Sequence, residues 1–242
     1  MGPAFSHGSS ARAPTRHDRI APLYTRWVTV AAVILSATVE GALTPTEGQP
    51  RVRRLADIAW SGGALPVVVI SADPDGAVTR ALADSEAIHG LPAAPESGPA
   101  GQMARGAEVA LAEVSDISAV LLWPARMVWV GPETVTSLIE AHGLDRSALL
   151  RPAWHGETGW PVLLPTAHLD ALRAVPADLM PPDVIERLAA TLPGQVLELG
   201  DPGVVLDADT PRDDLPPYEG PPEPPGGHTH EWGDDVATKA SL

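Results

Sequence analysis

Short apolar runs alternate with amphipathic stretches along most of the chain. The runs are rich in valine, leucine and isoleucine, which is typical of strands buried on both faces of a sheet. Several intervening stretches carry apolar residues at helical spacing, most clearly Met103, Ala107, Ala110 and Leu111. Strands are predicted at 28–37, 66–71, 118–123, 148–153, 161–164, 195–199 and 204–206, and helices at 52–61, 75–84, 102–114, 132–142, 166–175 and 182–192.

This alternation of strands and helices predicts an α/β fold, a three-layer α/β/α sandwich with a mostly parallel sheet. Pro132 is expected to open one of the helices and Gly143 to close it, because these residues suit helix starts and ends respectively. Ligands of mostly parallel sheets bind beyond the carboxyl ends of the strands. Residues that follow the predicted strands are therefore the first candidates for chemistry.

The length and composition favour one domain between two unstructured ends. A chain of 242 residues, 44% of them hydrophobic, can bury a sizeable core. Residues 1–24 mix serine, proline, arginine and histidine without periodicity, which predicts a flexible arm. Residues 219–242 are acidic and rich in proline and glycine, which predicts a disordered tail. The folded domain is predicted to span residues 25–218.

The charge of the chain excludes some partners. A formal net charge of −15 repels polyanions, so we expect no binding to nucleic acid or to an anionic membrane surface. The apolar run at 27–37 is too short to span a bilayer. The chain has no cysteine, which excludes thiolate metal sites and cysteine nucleophiles and fits a cytoplasmic location. A protein partner is compatible with the sequence, which identifies none.

Two aspartates follow the last predicted strand. Side chains two positions apart in an extended chain point to the same face, so Asp207 and Asp209 are expected to converge on one divalent cation. Thr210 is expected to cap a helix whose first residue is Pro211. The alternative interpretation is that both acids only cap turns. The pair therefore predicts a metal site, and the rest of the chain must decide between the two interpretations.

Three segments together resemble the MobA-like nucleotidyltransferases, which include the enzymes that attach GMP or CMP to molybdopterin. Residues 151–165 resemble the family's glycine-containing loop and following strand, and 206–211 resemble its D-x-D-T-P signature. Residues 121–135 lie where the family has a strand, a D-x-P metal motif and a P-E-T helix start. The resemblance covers about residues 28–218. It implies a fold of the nucleotide-diphospho-sugar-transferase (GT-A-like) type.

The resemblance also implies an activity and a set of site residues. The activity is transfer of a nucleoside monophosphate from an NTP to a small acceptor such as molybdopterin, with Mg²⁺ as cofactor. Arg126, Asp207 and Asp209 are implied as catalytic residues, and the two aspartates also as ligands of the Mg²⁺. The loop implied to contact substrate comprises His155, Gly156, Gly159, Trp160 and Pro161.

Two family motifs are replaced in this sequence. The glycine-rich phosphate loop corresponds to residues 35–44, where Gly41 is the only glycine. Thr38 and Ala42 stand at the positions of the first glycine and the arginine, and Glu40 adds a charge of the wrong sign for phosphate. Arg126 replaces the aspartate of D-x-P, and a guanidinium group cannot coordinate a cation.

These replacements leave two interpretations of Arg126 and two of the protein. Arg126 either binds phosphate as a fixed positive charge in place of the metal, or pairs with Asp207 or Asp209 in an inactive site. Trp160 also differs from the family, which has histidine there. The protein is accordingly either a nucleotidyltransferase or a noncatalytic pseudoenzyme of the same fold that acts as a binding or partner-docking module. A third hypothesis is an unrelated α/β protein whose matching segments arose by chance.

Overall fold

A computed structural model describes residues 28–220 of the chain. The predicted arm at 1–24, and all of the predicted tail except Glu219 and Gly220, lie outside the described residues. The backbone N–H of Glu219 donates a hydrogen bond to the carbonyl oxygen of Gly200 at 2.7 Å. This contact attaches the end of the described chain to the folded domain.

Ten strands and seven α-helices form the described part of the chain. The strands are β1 (Val30–Leu35), β2 (Pro45–Thr46), β3 (Gln49–Pro50), β4 (Val67–Ile70), β5 (Ala87–Gly90), β6 (Ala119–Pro124), β7 (Leu149–Trp154), β8 (Glu157–Thr158), β9 (Val162–Pro165) and β10 (Gly194–Glu198). The helices are α1 (Val39–Leu43), α2 (Arg51–Ser61), α3 (Ala77–Ala81), α4 (Gly98–Glu113), α5 (Pro132–Leu144), α6 (Leu169–Arg173) and α7 (Pro181–Ala189).

One mixed sheet forms the middle layer. Its strand order is β10-β7-β9-β6-β1-β4-β5, and β8 pairs with β7 at the side of this path. All of these neighbours are parallel except at β9, which is antiparallel to both β6 and β7, and at the short pairing of β8 with β7. The carboxyl ends of β1, β4, β6, β7 and β10 therefore lie along one edge of the sheet, where ligands of such folds bind.

Helices cover both faces of the sheet, as the sequence predicted. Successive residues of β1 alternate between two apolar clusters: Ile34 packs with Leu55 of α2 and Leu138 of α5, while Val33 packs with Met103 of α4. Because both faces are buried, the strand is apolar at nearly every position. The α/β/α sandwich with a mostly parallel sheet is thus confirmed. None of the helices between residues 28 and 220 is long and apolar enough to cross a membrane.

The predicted strand at 204–206 is wrong. Residues Pro202–Val204 form a 3₁₀ helix instead, and Val204 is fully buried. The N–H groups of Val205 and Leu206 donate to the carbonyl oxygen of Pro202, so they are not available to a sheet partner. Burial of Val204 produced the apolar signal, and Pro202-Gly203 favoured a turn over an extended chain.

The predicted helix start at Thr210 and Pro211 is also wrong. Only one 3₁₀ turn forms, Arg212–Asp214, and Pro211 precedes it in the capping position. Leu215 is extended because it precedes a proline, and Pro216 has no N–H with which to continue a helix. The predicted end of α5 at Gly143 differs slightly, since the helix includes Gly143 and ends at Leu144.

A buried histidine makes the stability of the fold depend on pH. His142 of α5 is fully buried, and its Nε2 lies 3.1 Å from Ser118 Oγ. Burial, and then the positive charge of Arg146, lowers the pKa of His142, while Asp145 acts in the opposite direction. The unfolded chain therefore binds a proton at this histidine more readily than the folded chain does.

We expect the free energy of unfolding to fall as the pH drops through about 6.5, the ordinary histidine value. Urea titrations at pH 7.5 and 5.5 would measure this loss. Replacing His142 by Gln should reduce the loss, because glutamine cannot be protonated, whereas His168→Gln should leave it unchanged. An identical loss in the His142→Gln protein would contradict the assignment.

Candidate active site

Arg126 lies at the carboxyl edge of the sheet, in the turn that follows β6. The backbone N–H of Ala125 donates to the carbonyl oxygen of Leu35, the last residue of β1, at 2.8 Å. The indole N–H of Trp123, which is fully buried, donates to the carbonyl oxygen of Met127 at 2.9 Å. These two bonds fix the turn on both sides of Arg126 and hold its side chain beside the end of β1.

The carboxylates of Asp207 and Asp209 converge on the guanidinium group of Arg126. Arg126 Nε and Nη2 donate to Asp207 Oδ2 at 3.0 and 2.8 Å, and Nη2 also donates to Asp209 Oδ2 at 2.5 Å. The backbone N–H of Ala208 donates to the carbonyl oxygen of Arg126 at 2.9 Å. Hydrogen bonds to both aspartates, and then their charges, raise the pKa of Arg126.

The convergence of the two aspartates arises from a turn and not from the strand exit that the sequence predicted. Asp209 N–H donates to Asp207 Oδ1 at 2.9 Å, and Thr210 N–H donates to the carbonyl oxygen of Asp207 at 3.0 Å. Asp207 is therefore both a turn-capping residue and an ion-pair partner. Of the two interpretations of Arg126, the one in which it pairs with both acids describes the contacts in the structure.

The residues present do not fit a Mg²⁺ ion. Residues 28–220 contain no group of three or more histidine, aspartate or glutamate side chains that could hold a metal. A cation bound by Asp207 and Asp209 would lie beside Arg126. At about 4 Å and an effective dielectric near 20, repulsion between two unit charges costs about 4 kcal/mol per pair of charges.

Trp129 holds the turn that carries the two aspartates. Its indole N–H donates to the carbonyl oxygens of Asp207 and Thr210 at 2.9 and 3.0 Å. The guanidinium carbons of Arg54 and Arg212 lie 5.9 and 5.6 Å from the centroid of the Trp129 ring, within the range of cation–π attraction. Trp129 thus holds the turn through its N–H group and contacts the two arginines through its ring.

Glu47 connects the same two arginines to a hairpin. The hairpin of β2 and β3 turns at Glu47 and Gly48, which have φ angles of +49° and +85°. Glu47 lies 2.6 Å from Arg54 and 3.3 Å from Arg212 in ion pairs. The hairpin is therefore attached both to α2 and to the C-terminal segment. The sequence predicted neither the hairpin nor these pairs.

Asp201 is buried and was not predicted from the sequence. Its Oδ2 accepts hydrogen bonds from Gly131 N–H at 2.9 Å and from Thr134 Oγ1 at 2.6 Å. Its Oδ1 accepts from Gly203 N–H at 2.8 Å. The carboxylate thereby caps two helices, the start of α5 and the 3₁₀ helix that precedes Asp207. Thr134 of α5 lies 67 positions before Asp201 in the sequence.

The segment that corresponds to the phosphate loop is closed by its own side chains. Thr38 Oγ1 accepts from Gly41 N–H at 2.9 Å and caps the short helix α1, which the sequence analysis did not predict. Ser36 Oγ donates to the carbonyl oxygen of Thr38 at 2.9 Å. The first of these contacts uses a backbone N–H that a glycine-rich loop would leave open to phosphate.

Arg51, the first residue of α2, is a further arginine near the site. Burial, and then the charge of Arg126, lowers the pKa of Arg51, whereas Asp207 and Asp209 act in the opposite direction. Arg51 is thus close enough to interact electrostatically with all three predicted catalytic residues. Arg51 lies outside the segments that resemble the family motifs, so the sequence analysis did not identify it as a candidate site residue.

The structure divides the predicted substrate loop into two parts. His155 and Gly156 are exposed at the turn between β7 and β8, and their N–H groups donate to the carboxylate of Glu198 at 2.7 and 3.0 Å. His155 Nε2 lies 3.1 Å from Glu219 Oε2. These residues line a cleft of about 460 Å³, so their predicted contact with substrate remains sterically feasible.

The second part of the loop packs against the C-terminal segment. Gly159 lies so close to Val204 that a β-carbon there would be 1.8 Å from the Val204 carbonyl oxygen. Trp160 N–H donates to that same oxygen at 2.8 Å, and Pro161 is buried. These contacts give Gly159, Trp160 and Pro161 a structural role. Their predicted contact with substrate stays a prediction.

The fold that carries Arg126 at its edge is similar to that of several solved structures, some of which are nucleotidyltransferases. One solved structure is Rv0371c from Mycobacterium tuberculosis H37Rv in complex with manganese, with a TM-score of 0.56 at 16% identity over 71% of this chain and 88% of that one. Another is 2-C-methyl-D-erythritol 4-phosphate cytidylyltransferase from Thermus thermophilus, with a TM-score of 0.55 at 19% identity over 78% of this chain and 96% of that one. No curated protein sequence matches the chain.

The fold class is therefore the GT-A-like α/β sandwich of nucleotidyltransferases. The family model of the MobA-like NTP transferase domain matches residues 40–193, which is more than half of the chain. The chain belongs to the family of proteins with a MobA-like NTP transferase domain. The sequence resemblance to this family is confirmed by this match and by the fold.

Replacing Asp201 by Ala should lower the free energy of unfolding by roughly 2–4 kcal/mol, because it leaves the N–H of Gly131 and of Gly203 and the Thr134 hydroxyl without their acceptor. Urea denaturation would measure this loss. Asp201→Asn retains one acceptor oxygen and should lose less. Asp178→Ala, at an exposed position, serves as the matched control. Equal stability of the Asp201→Ala and control proteins would contradict the capping role.

Proposed function

We propose that this protein is a nucleotidyltransferase that transfers a nucleoside monophosphate from an NTP to a small acceptor. The observation that carries this proposal is the match of residues 40–193 to the MobA-like NTP transferase domain. Family membership supports a nucleotide as the ligand. We also propose a cytoplasmic location, where nucleotides are available, and no interaction with nucleic acid or membrane.

The proposed reaction is an in-line displacement. An oxygen of the acceptor attacks the α-phosphorus of the NTP, and the bond from that phosphorus to the β-bridging oxygen breaks as pyrophosphate leaves. The positive charge of Arg126 stabilises the negative charge that develops on the leaving group. Asp207 and Asp209 hold the guanidinium group in position and so act as positioning residues for Arg126. Molybdopterin is the acceptor that the family resemblance suggests.

A second candidate is a noncatalytic module that binds a nucleotide or docks a partner. The loop after β1 favours it, because Thr38 Oγ1 occupies the backbone N–H of Gly41, a donor that a phosphate could otherwise contact. The two candidates differ in a measurable way. Only the nucleotidyltransferase releases pyrophosphate when an NTP and an acceptor are both present.

Pyrophosphate release should be measured with GTP and with CTP, using molybdopterin as the acceptor, in the presence of Mg²⁺ and separately of EDTA. We expect release, and we expect Arg126→Met to slow it by about 100-fold, the loss typical of removing one group that stabilises the transition state. Arg187→Met, an exposed arginine of α7, is the matched control. Nucleotide binding without any release would contradict the first candidate and favour the second.

Restoring the family residue at Arg126 tests the electrostatic argument separately from catalysis. Arg126→Asp should create a cluster of three carboxylates with Asp207 and Asp209, because it replaces a repelling cation by an oxygen ligand. Calorimetry with Mg²⁺ alone should then show binding to the variant and none to the wild-type protein. Tight binding of Mg²⁺ by the wild-type protein would contradict the conclusion that Arg126 excludes the metal.

A further inference from the structure

The guanidinium group of Arg51 has no acceptor within residues 28–220. Its Nε atom is buried and lacks a hydrogen-bond partner, although the residue as a whole is half-buried at the start of α2. Other arginines of the same helix are paired: Arg53 contacts Asp57 and Arg54 contacts Glu47. A buried donor without an acceptor is costly in a folded protein, and so its retention requires an explanation.

The acids nearest to Arg51 are engaged elsewhere. Asp207 and Asp209 both accept hydrogen bonds from Arg126, and the charge of Arg126 repels Arg51. Arg126 in turn uses only Nε and Nη2 for these bonds, so that its Nη1 contacts no acceptor in the described part of the chain. Arg54, one turn along α2 from Arg51, lies 5.9 Å from the centroid of the Trp129 ring, and the Trp129 N–H donates to the carbonyl oxygen of Asp207. The start of α2 therefore lies on the same side of the site as the turn that carries the two aspartates.

The chemistry of these donors indicates the class of ligand. Guanidinium groups bind phosphate oxygens through directed N–H donors and retain their charge at every physiological pH. A single small anion can neutralise one guanidinium group, whereas a polyphosphate carries enough oxygens and charge to bridge two. Such a ligand would contact the terminal nitrogens of Arg51, because its Nε atom is buried, and the negative charge of the ligand would offset the repulsion between Arg51 and Arg126.

We propose that Arg51 and Arg126 together bind the polyphosphate of a nucleotide without a divalent cation. This inference rests on the proposed nucleotide ligand and assigns to two arginines the charge neutralisation that a metal ion would otherwise provide. Arg51 binds the phosphate chain directly. Arg126 binds it through Nη1, while Asp207 and Asp209 hold its other two nitrogens.

The test is calorimetry of inorganic pyrophosphate and of GTP in EDTA, with the full chain. We expect both ligands to bind the wild-type protein. In Arg51→Met we expect the affinity for each ligand to fall by about ten-fold or more, because a charge-assisted hydrogen bond is lost. Arg51→Lys retains the positive charge but loses the planar arrangement of N–H donors. Its affinity for both ligands should lie between the affinities of the wild-type and Arg51→Met proteins. Arg187→Met, on the opposite face of the sheet, should bind as the wild-type protein does.

Thermal melting provides a readout that an arginine with a purely structural role would not give. Without ligand, Arg51→Met should melt no lower than the wild-type protein, because the guanidinium group that it removes makes no hydrogen bond within residues 28–220 and has a buried Nε atom without an acceptor. Pyrophosphate in EDTA should raise the melting temperature of the wild-type protein and not that of Arg51→Met. A clear destabilisation of ligand-free Arg51→Met would contradict the unpaired state. Should that variant fail to fold, Arg51→Lys carries the binding test.

Failure of this inference can be distinguished from failure of the proposed function. Binding that requires Mg²⁺, or that is equal in the wild-type and Arg51→Met proteins, would overturn the role of Arg51 even if pyrophosphate release occurs. Absence of binding by either ligand would overturn it as well. Binding in EDTA through Arg51 without any release from an NTP would support the polyphosphate site and contradict only the transferase.

Discussion

The arrangement of the site depends on the buried carboxylate of Asp201. It accepts hydrogen bonds from the start of α5 and from the 3₁₀ helix at Pro202–Val204, and so joins two segments that are far apart in sequence. Asp207 follows this 3₁₀ helix closely, and the backbone of Trp129 lies against Gly203. The Asp201 bonds therefore set the distance between the C-terminal turn and the segment that follows β6.

The second constraint is the charge balance at the carboxyl edge. Arg126 lies where the family has a metal-binding aspartate, and it satisfies two carboxylates that would otherwise repel each other. Both carboxylates are at least partly exposed, so solvent screens the pair and its net contribution to stability is small. Its effect is mainly one of position, because it holds the guanidinium group of Arg126 beside the turn that carries the two aspartates. Arg51 adds a second positive charge nearby.

Much of the fold was predictable because burial on both faces leaves a clear sequence pattern. The strands β1, β4, β6, β7, β9 and β10 appeared near their predicted positions, as did α2, α4, α5 and α7. The strand β5 was missed because His89 and the half-buried Ala87 and Ile88 interrupt its apolar pattern. The C-terminal 3₁₀ helices were mistaken for a strand and a helix start, since one buried valine and one proline give the same local signal in either case.

The sequence by itself determined the α/β class and the family, because both depend on residue type at local spacing. The replacement of the glycine-rich loop and of the D-x-P aspartate stays a prediction from the sequence. Only the tertiary structure decided which charges meet. Arg126 contacts Asp207 across 81 positions, Trp129 contacts it across 78, and Asp201 caps a helix across 67. Such pairings leave no periodic signal, and the lack of an acceptor for Arg51 among residues 28–220 is visible only once the chain is folded.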